Sequence, residues 1–354
     1  MAETVYPDLQ ATVFPDAVPA GVADELPDLY SSLPCTLEWF ACHDRLEPQG
    51  ACVLDGPRHV LLFRVEGDTV EVLNKTFRIA PADAARACRA LFRALPQARR
   101  IHLEVMFPPA ELRLARRTLN STDHMVAHLP GSVEAYTATL GKSTRQNLRL
   151  YENRLRRDHP DVSVRTIRPA ERSRELFDRF LEWKRERFAA QGRAIMWDTE
   201  TGLSEGFVEL ARRRGEVQLV SAGGDDLSIL FAFPVGHAMY GAQAAFRPDC
   251  ERYRLGLLAY YWLAGDAIGR GLSELNLMWG TGYYKERLGA RPKRATRVSV
   301  FRSQQARVYS LDEATEIAVR NVKRAGKRYY WSARHAAGRA TRAVTGHSKP
   351  GART

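Results

Sequence analysis

The sequence predicts an α+β protein in two successive halves, and three observations carry that reading. Short apolar runs of strand length alternate with amphipathic helical stretches through the first half. The second half repeats this style with clearer turn punctuation. Three of its strands follow one another so closely that they read as antiparallel neighbours, the first two joined at Gly223-Gly224-Asp225-Asp226. The 354 residues, 45% hydrophobic and 27% charged, suffice for two average domains and exclude disordered and fibrous classes.

Residues 1–32 carry Pro7, Pro15, Pro19 and Pro27 with little periodicity and read as an extended arm. Residues 33–130 form the first half, with strands at Cys35–Cys42, His59–Val65, Thr69–Leu73 and Ile101–Phe107 and helices at Ala82–Leu95 and Glu111–Leu119. Residues 131–306 form the second, opening with a helix at Ser132–Leu140 and another at Ser143–Arg157. Ser143-Thr144-Arg145-Gln146 has the capping-box pattern, in which the serine hydroxyl accepts from an orphan N–H while the glutamine reaches back. Leu148, Tyr151 and Leu155 make that helix's apolar seam, and Arg145, Arg149 and Arg156 fall on another stripe. A strand at Val162–Ile167 precedes a helix at Glu171–Phe188 whose Phe177, Phe180, Leu181 and Phe188 face inward.

The three close strands are Val217–Ala222, Leu227–Phe233 and Ala238–Ala245. An apolar helix, Tyr253–Arg270, is opened by Gly256 and leads to a strand at Leu275–Trp279. Gly280, Thr281 and Gly282 then turn into a short helix, Tyr283–Leu288, before a last strand at Arg297–Phe301. Residues 307–354 hold a basic helix from Asp312 to about Ser332 and a frayed tail.

The net charge of +12 is concentrated at the C-terminus, where residues 291–354 alone contribute +13. Elsewhere acids and bases nearly cancel. Five cysteines, Cys35, Cys42, Cys52, Cys88 and Cys250, are an odd number without CxxC spacing and read as buried thiols. The longest apolar run, Leu255 to Gly265, is about half of what crosses a bilayer, and the acidic N-terminus is not a secretion signal, so the expected location is the cytoplasm. No phosphate-binding P-loop, GxGxxG, GxSxG or HExxH is present. His43, His59, His102, His124, His128 and His237 are isolated and read as structural or surface residues, and no metal site is expected.

The informative stretch is Phe246 to Gly289. A helix opening near Gly256 offers unpaired N–H groups and a partial positive charge that suit a pyrophosphate, with Arg252 and Arg254 beside it; an ordinary loop-to-helix joint has the same pattern. LGKSTRQNLRLYENRLRR (140–157), FRPDCERYRLGLL (246–258) and LNLMWGTGYYKERLG (275–289) together resemble the GNAT acyltransferase superfamily. The branch is that of Fem-type peptidoglycan aminoacyltransferases and CelD-like acetyltransferases associated with polysaccharide synthesis. The resemblance covers about residues 125 to 302. It implies tandem GNAT-like folds, mixed and mostly antiparallel sheets flanked by helices, with the first copy degenerate. The branch often has Ser-Pro-Gly where Arg254-Leu255-Gly256 stand here, so the phosphate loop is less preorganised.

Under this resemblance, acetyl-CoA or another acyl-CoA enters where two central strands splay, its pyrophosphate over Arg252, Tyr253, Arg254, Leu255, Gly256 and Leu257. Tyr283 or Tyr284 is the candidate acid for the leaving group, or else an aromatic lid. Lys285 orients substrate or stabilises negative charge, or pins its turn by a salt bridge, and Trp279 lies at the acceptor side. Asp249, Glu251 and Glu286 are available as bases without one standing out. Lys142, Arg145 and Arg149 bind an anionic acceptor, close over the coenzyme, or form a solvated face. The expected acceptor is an amine or hydroxyl of a sugar, glycan precursor or small metabolite. The alternative donor is aminoacyl-tRNA, as in Fem-type enzymes, and a non-catalytic scaffold is the third reading. The basic tail suits an anionic inner membrane surface or RNA, or is a solvated appendage.

Overall fold

In a computed structural model, residues 3–44, 46–168, 172–190, 192 and 203–309 are described. The first half contributes β1 (Thr4–Tyr6), β2 (Ala11–Phe14), α1 (Leu26–Tyr30), α2 (Leu37–Trp39), β3 (Gly50–Leu54), β4 (His59–Glu66) and β5 (Thr69–Val72), then α3 (Pro81–Ala94), β6 (Arg100–Val105) and β7 (Arg116–His128). The second begins with α4 (Val133–Thr139), α5 (Lys142–Asp158), β8 (Ser163–Ile167), α6 (Ser173–Ala189), α7 (Leu203–Arg214), β9 (Glu216–Ala222) and β10 (Asp225–Val235). It ends with β11 (Ala238–Phe246), α8 (Leu255–Gly269), β12 (Glu274–Trp279), α9 (Tyr283–Arg287) and β13 (Arg291–Phe301). Residues 1–302 are one compact unit; of the second, Ser303–Thr354, only its first turns, including α10 (Gln304–Tyr309), are described. The basic helix expected from Asp312 lies outside the described residues.

The thirteen strands of the described residues join one mixed, mostly antiparallel sheet in the order β1-β2-β3-β4-β5-β6-β13-β7-β12-β11-β10-β9-β8. Each half has one parallel pair bridged by a helix, β5-α3-β6 and β11-α8-β12. At the centre the last strands are exchanged: β7 lies beside β12 of the second half, and β13 beside β6 of the first. Helices cover both faces. Along β10, Ile229, Phe231 and Phe233 enter the core shared with α3, α6 and α7, while Leu230 and Ala232 enter the core shared with α5 and α8. This is the two-residue period of a strand buried on both sides. All five cysteines are buried and free.

Four expectations fail for identifiable local reasons. The proline-rich arm is not simply extended: β1 and β2 form a hairpin on the sheet edge, turned by Gln10 at φ 45°. Cys35–Cys42 is helical rather than a strand. Pro34 favours the opening 3-10 turn, the Thr36 side chain caps α2 by accepting from Trp39 N at 3.3 Å, and Phe40–Asp44 continues as a widened π turn. Glu111–Leu119 is not a helix, because Pro108-Pro109 permits a single 3-10 turn before the chain extends into β7. The expected capping box at Ser143 is absent: α5 starts at Lys142 with Gly141 as N-cap, and Ser132 is the capping serine, accepting from Ala135 N at the start of α4. β3 and α7 have no counterpart in the sequence reading.

The 40–44 turn is held by α7. Gly206 approaches it so closely that an added Cβ would overlap the Cys42 carbonyl. Gly206→Ala is therefore expected to lower stability by about 1–3 kcal/mol, visible as a depressed Tm in calorimetry. An unchanged Tm would show that this contact is loose.

Candidate active site

β11 and β12 pair in parallel only from Ala238 to Tyr240, against Glu274 to Asn276. Beyond that they diverge. The β10–β11 register slips between Phe231 and Ala232, which leaves Ala242 as an extra residue, a bulge that bends β11 away. The β12–β7 register slips after Asn276, and Met278 adopts φ 60°. Between the splayed strands lies a cavity of about 810 Å³. Gly241 permits its floor, since a Cβ there would strike the Tyr260 ring of α8 at 2.7 Å.

The lining has an unusual charge composition. Lys184, Arg187, Arg254, Lys285 and Arg287 face it among aromatic rings, and no aspartate or glutamate does among the described residues. Lys184 donates to Gln243 Oε1 and lies 4.7 Å from the Phe180 ring centre. Burial pulls its ammonium from 10.5 down to about 8. Lys285 is 7% exposed and donates to the carbonyls of Trp279 at 2.8 Å and Gly280 at 3.0 Å, and burial likewise brings it to about 8. An ammonium has three donors, so one remains for a ligand. Tyr284 packs on Tyr260 with ring centres 5.6 Å apart, and burial raises its phenol above the usual range, keeping it protonated.

Residues 142–286 match the family described as Acetyltransferase (GNAT) domain. A crystal structure of FemX superposes with TM-score 0.61 at 12% identity, covering 84% of this chain and 99% of that one. A conserved protein of unknown function from Bacteroides thetaiotaomicron superposes with TM-score 0.52 at 15% identity, over 78% of this chain and 92% of its own. No curated protein sequence matches the chain significantly. Residues 142–286 are thus a GNAT acyltransferase domain, set in a chain with a Fem-like fold.

In this GNAT frame the residues named from sequence separate into three groups. Trp279, Tyr283, Tyr284 and Lys285 line the cavity, as do Arg254, Gly256 and Leu257 at the first turn of α8. Arg254 is the N-cap at φ 51°, and the first N–H groups of α8 have no acceptor within the helix. Lys285 pins its turn through carbonyls rather than a salt bridge. Three of the loop residues do other work. Leu255 is fully buried in the core, Tyr253 is buried with its hydroxyl bonded to Asp158 at 3.1 Å, and Arg252 pairs with Asp158 at 3.4 Å. Lys142, Arg145 and Arg149 lie outside the cavity lining; Arg145 caps the end of α4 through the carbonyls of Ala138 and Leu140. Asp249, Glu251 and Glu286 also stay outside it, with Asp249 on Arg247 at 2.8 Å.

Sequence reasoning missed Trp39, His43, Lys184 and Arg187, all of which line the cavity. His43 is the exception to the isolated histidines: it stacks on Trp39 with ring centres 3.9 Å apart, and Trp39 in turn lies 5.5 Å from Trp279. Lys184 was legible, because it falls at helical spacing on the stripe of Phe177, Phe180 and Phe188, where a lysine is out of place. Trp39 and His43 carried no such signal, coming from the other half of the chain. Among the described residues no group of acids, histidines and cysteines is arranged to hold a metal, and no helix is long and apolar enough to cross a membrane.

Because Lys184 titrates lower when folded, the unfolded chain binds more protons above about pH 8, and the cost of burying its charge is present below that pH and fades above it. Lys184→Met is expected to be more stable than the parent at pH 7, by on the order of 1 kcal/mol after the lost Gln243 bond is discounted. The advantage should shrink between pH 8 and 10 in denaturant titrations. A pH-independent difference would mean the ammonium is solvated.

Proposed function

We propose that the protein transfers an aminoacyl group from its tRNA ester to an amine acceptor. The carrying observation is the cavity: five cations, stacked aromatic rings and no carboxylate among the described lining residues, assembled from both halves of a Fem-like fold. The 3′ end of a charged tRNA offers phosphates for the cations and bases for the rings. Expectations for acyl-CoA place its pyrophosphate over residues 252–257, but there Arg252 is already paired with Asp158. That loop also carries exposed Asp249 and Glu251, which oppose a diphosphate.

The residues suit acyl transfer as follows. The amine nitrogen attacks the ester carbonyl, and the carbonyl oxygen becomes an oxyanion. Lys285, fixed by two carbonyls, directs its remaining N–H at that charge, an arrangement that stabilises the transition state more than the ground state. Collapse breaks the C–O bond, and the ribose oxygen takes a proton from Tyr284. A second reading, transfer from acyl-CoA, is favoured by the first turn of α8, where Gly256 faces the cavity and its backbone N–H suits phosphate.

Labelled charged tRNA and labelled acetyl-CoA, each offered with amine acceptors, separate the two. Transfer from tRNA that ribonuclease abolishes is the expected result; transfer from acetyl-CoA that survives RNA digestion would replace it with the second reading. Gly256→Asp is expected to weaken donor binding at least tenfold in calorimetric titration, since a carboxylate would enter the cationic mouth of the cavity. Lys285→Met should lower kcat by roughly 10²-fold. The parent's kcat should fall as pH rises through about 8, where Lys285 loses its proton. Unchanged turnover between pH 7 and 9.5 would remove Lys285 from the mechanism.

A further inference from the structure

We infer that His43 is the base that takes the proton from the acceptor amine, with Asp44 as its positioning residue. The inference rests on the acyl transfer to an amine proposed above, for either donor. His43 comes from the first half of the chain, outside the 142–286 match, yet it faces the same cavity as Lys285 and Tyr284. Its side chain is 27% exposed.

The imidazole is fixed from two directions. Trp39 stacks on it at an interplanar angle of 16°, and Trp279 lies 6.1 Å away, centre to centre. In the ring plane, Nδ1 is 3.1 Å from Asp44 Oδ1, so the neutral ring places its proton on Nδ1 and its lone pair on Nε2. Nε2 has no partner among the described residues. Asp44 is itself held, its second oxygen accepting from Lys75 Nζ at 2.6 Å. Burial works against the carboxylate, but the His43 bond and the Lys75 charge outweigh it and keep Asp44 ionised below the usual range.

The rest of the described lining offers no equal. It holds no carboxylate, and the two depressed lysines are tied to oxygen acceptors, Lys184 to Gln243 and Lys285 to two carbonyls, whereas the Nε2 edge of His43 is not. The same cations repel a bound ammonium and ease its deprotonation. The charged groups around His43 are Asp44 and, through it, Lys75; Lys285 and Arg287 across the cavity; and, from α7, Glu209, Arg212 and Arg213 beside the adjoining Cys42.

The proton balance closes. Nε2 takes one proton from the ammonium, and the freed nitrogen lone pair forms the N–C bond. The leaving oxygen or sulfur departs with the bonding pair and receives the Tyr284 proton. Tyr284 is restored by the second nitrogen proton, and His43 releases its own to water. One amide, one free alcohol or thiol and one proton result.

The test uses the full-length protein with whichever donor and amine turn over in the parent. His43→Gln is expected to lower kcat by about 10²-fold or more, leave the donor Kd within twofold, and abolish the acidic limb of the pH profile of kcat/KM. Asp44→Asn should lower kcat about tenfold and displace that limb without removing it. Should His43→Gln disturb the fold, His43→Ala with added imidazole supplies the second readout: restored turnover supports the base, and folded protein that imidazole fails to rescue overturns it. A His43→Gln enzyme within threefold of the parent, its acidic limb intact, overturns the inference alone. A parent that transfers from neither donor overturns the proposed function, and this inference with it.

Discussion

β7 and β13 run antiparallel through the middle of the sheet, with Arg116 opposite Val300 at one end and Val126 opposite Arg291 at the other, and the other strands take their places from that pair. β7 closes the first half in sequence but supplies the edge on which β12 of the second half lies; β13 does the reverse for β6. Neither half can complete its own sheet. The cavity inherits this dependence, because the position of β12, and so the angle at which it leaves β11, is set by a strand from the other half. The same junction brings Trp39 and His43 within reach of Trp279.

Holding two parallel strands apart inside a sheet leaves backbone groups without their ladder partners, and the structure answers in three ways. The bulge at Ala242 builds the bend into β11. Tyr260 fills the base of the opening where Gly241 lacks a side chain. Lys285 satisfies the carbonyls of Trp279 and Gly280 just beyond the end of β12. An ammonium recruited to satisfy backbone acceptors thereby sits at the cavity wall, partly dehydrated, so one residue closes the turn and charges the site. His124 shows the cost nearby: buried against Trp279, it is held neutral by burial and by the Lys285 charge, to about 4, and its Nε2 finds no partner.

The α+β class, the second-half strands and the apolar helix were legible because each has a strong local period or turn: the diglycine hairpin, the run from Leu255 to Gly265, the aromatic turn after Trp279. The site was legible where it is local, in residues 279–285 and 254–257. It was illegible where it depends on pairing at a distance. Nothing in the short segment before Asp44 announces that Trp39 meets Trp279, and its apolar character reads as a strand until Pro34 and Thr36 are given weight as helix starters. The basic stripe of α5 misled in the opposite direction: Arg145 is explained by two carbonyls at the end of α4, a helix-terminus role that a lone charge pattern does not distinguish from ligand binding.

The exchange of last strands also dictates an order of events on the ribosome. β6 is complete by residue 105, but the strand that covers its free edge is not synthesised until residue 291. β7 likewise waits for both of its neighbours, which come from the final quarter of the chain. Until β12 and β13 emerge, the nascent chain exposes the free edge of β6 and both edges of β7, which are of the kind that template aggregation. A polypeptide stalled shortly before β13 carries every cavity-lining residue but lacks the strand that joins β6 to β7. The sheet is therefore closed only once β13 has emerged, and shielding of those edges until then falls to whatever accompanies the emerging chain.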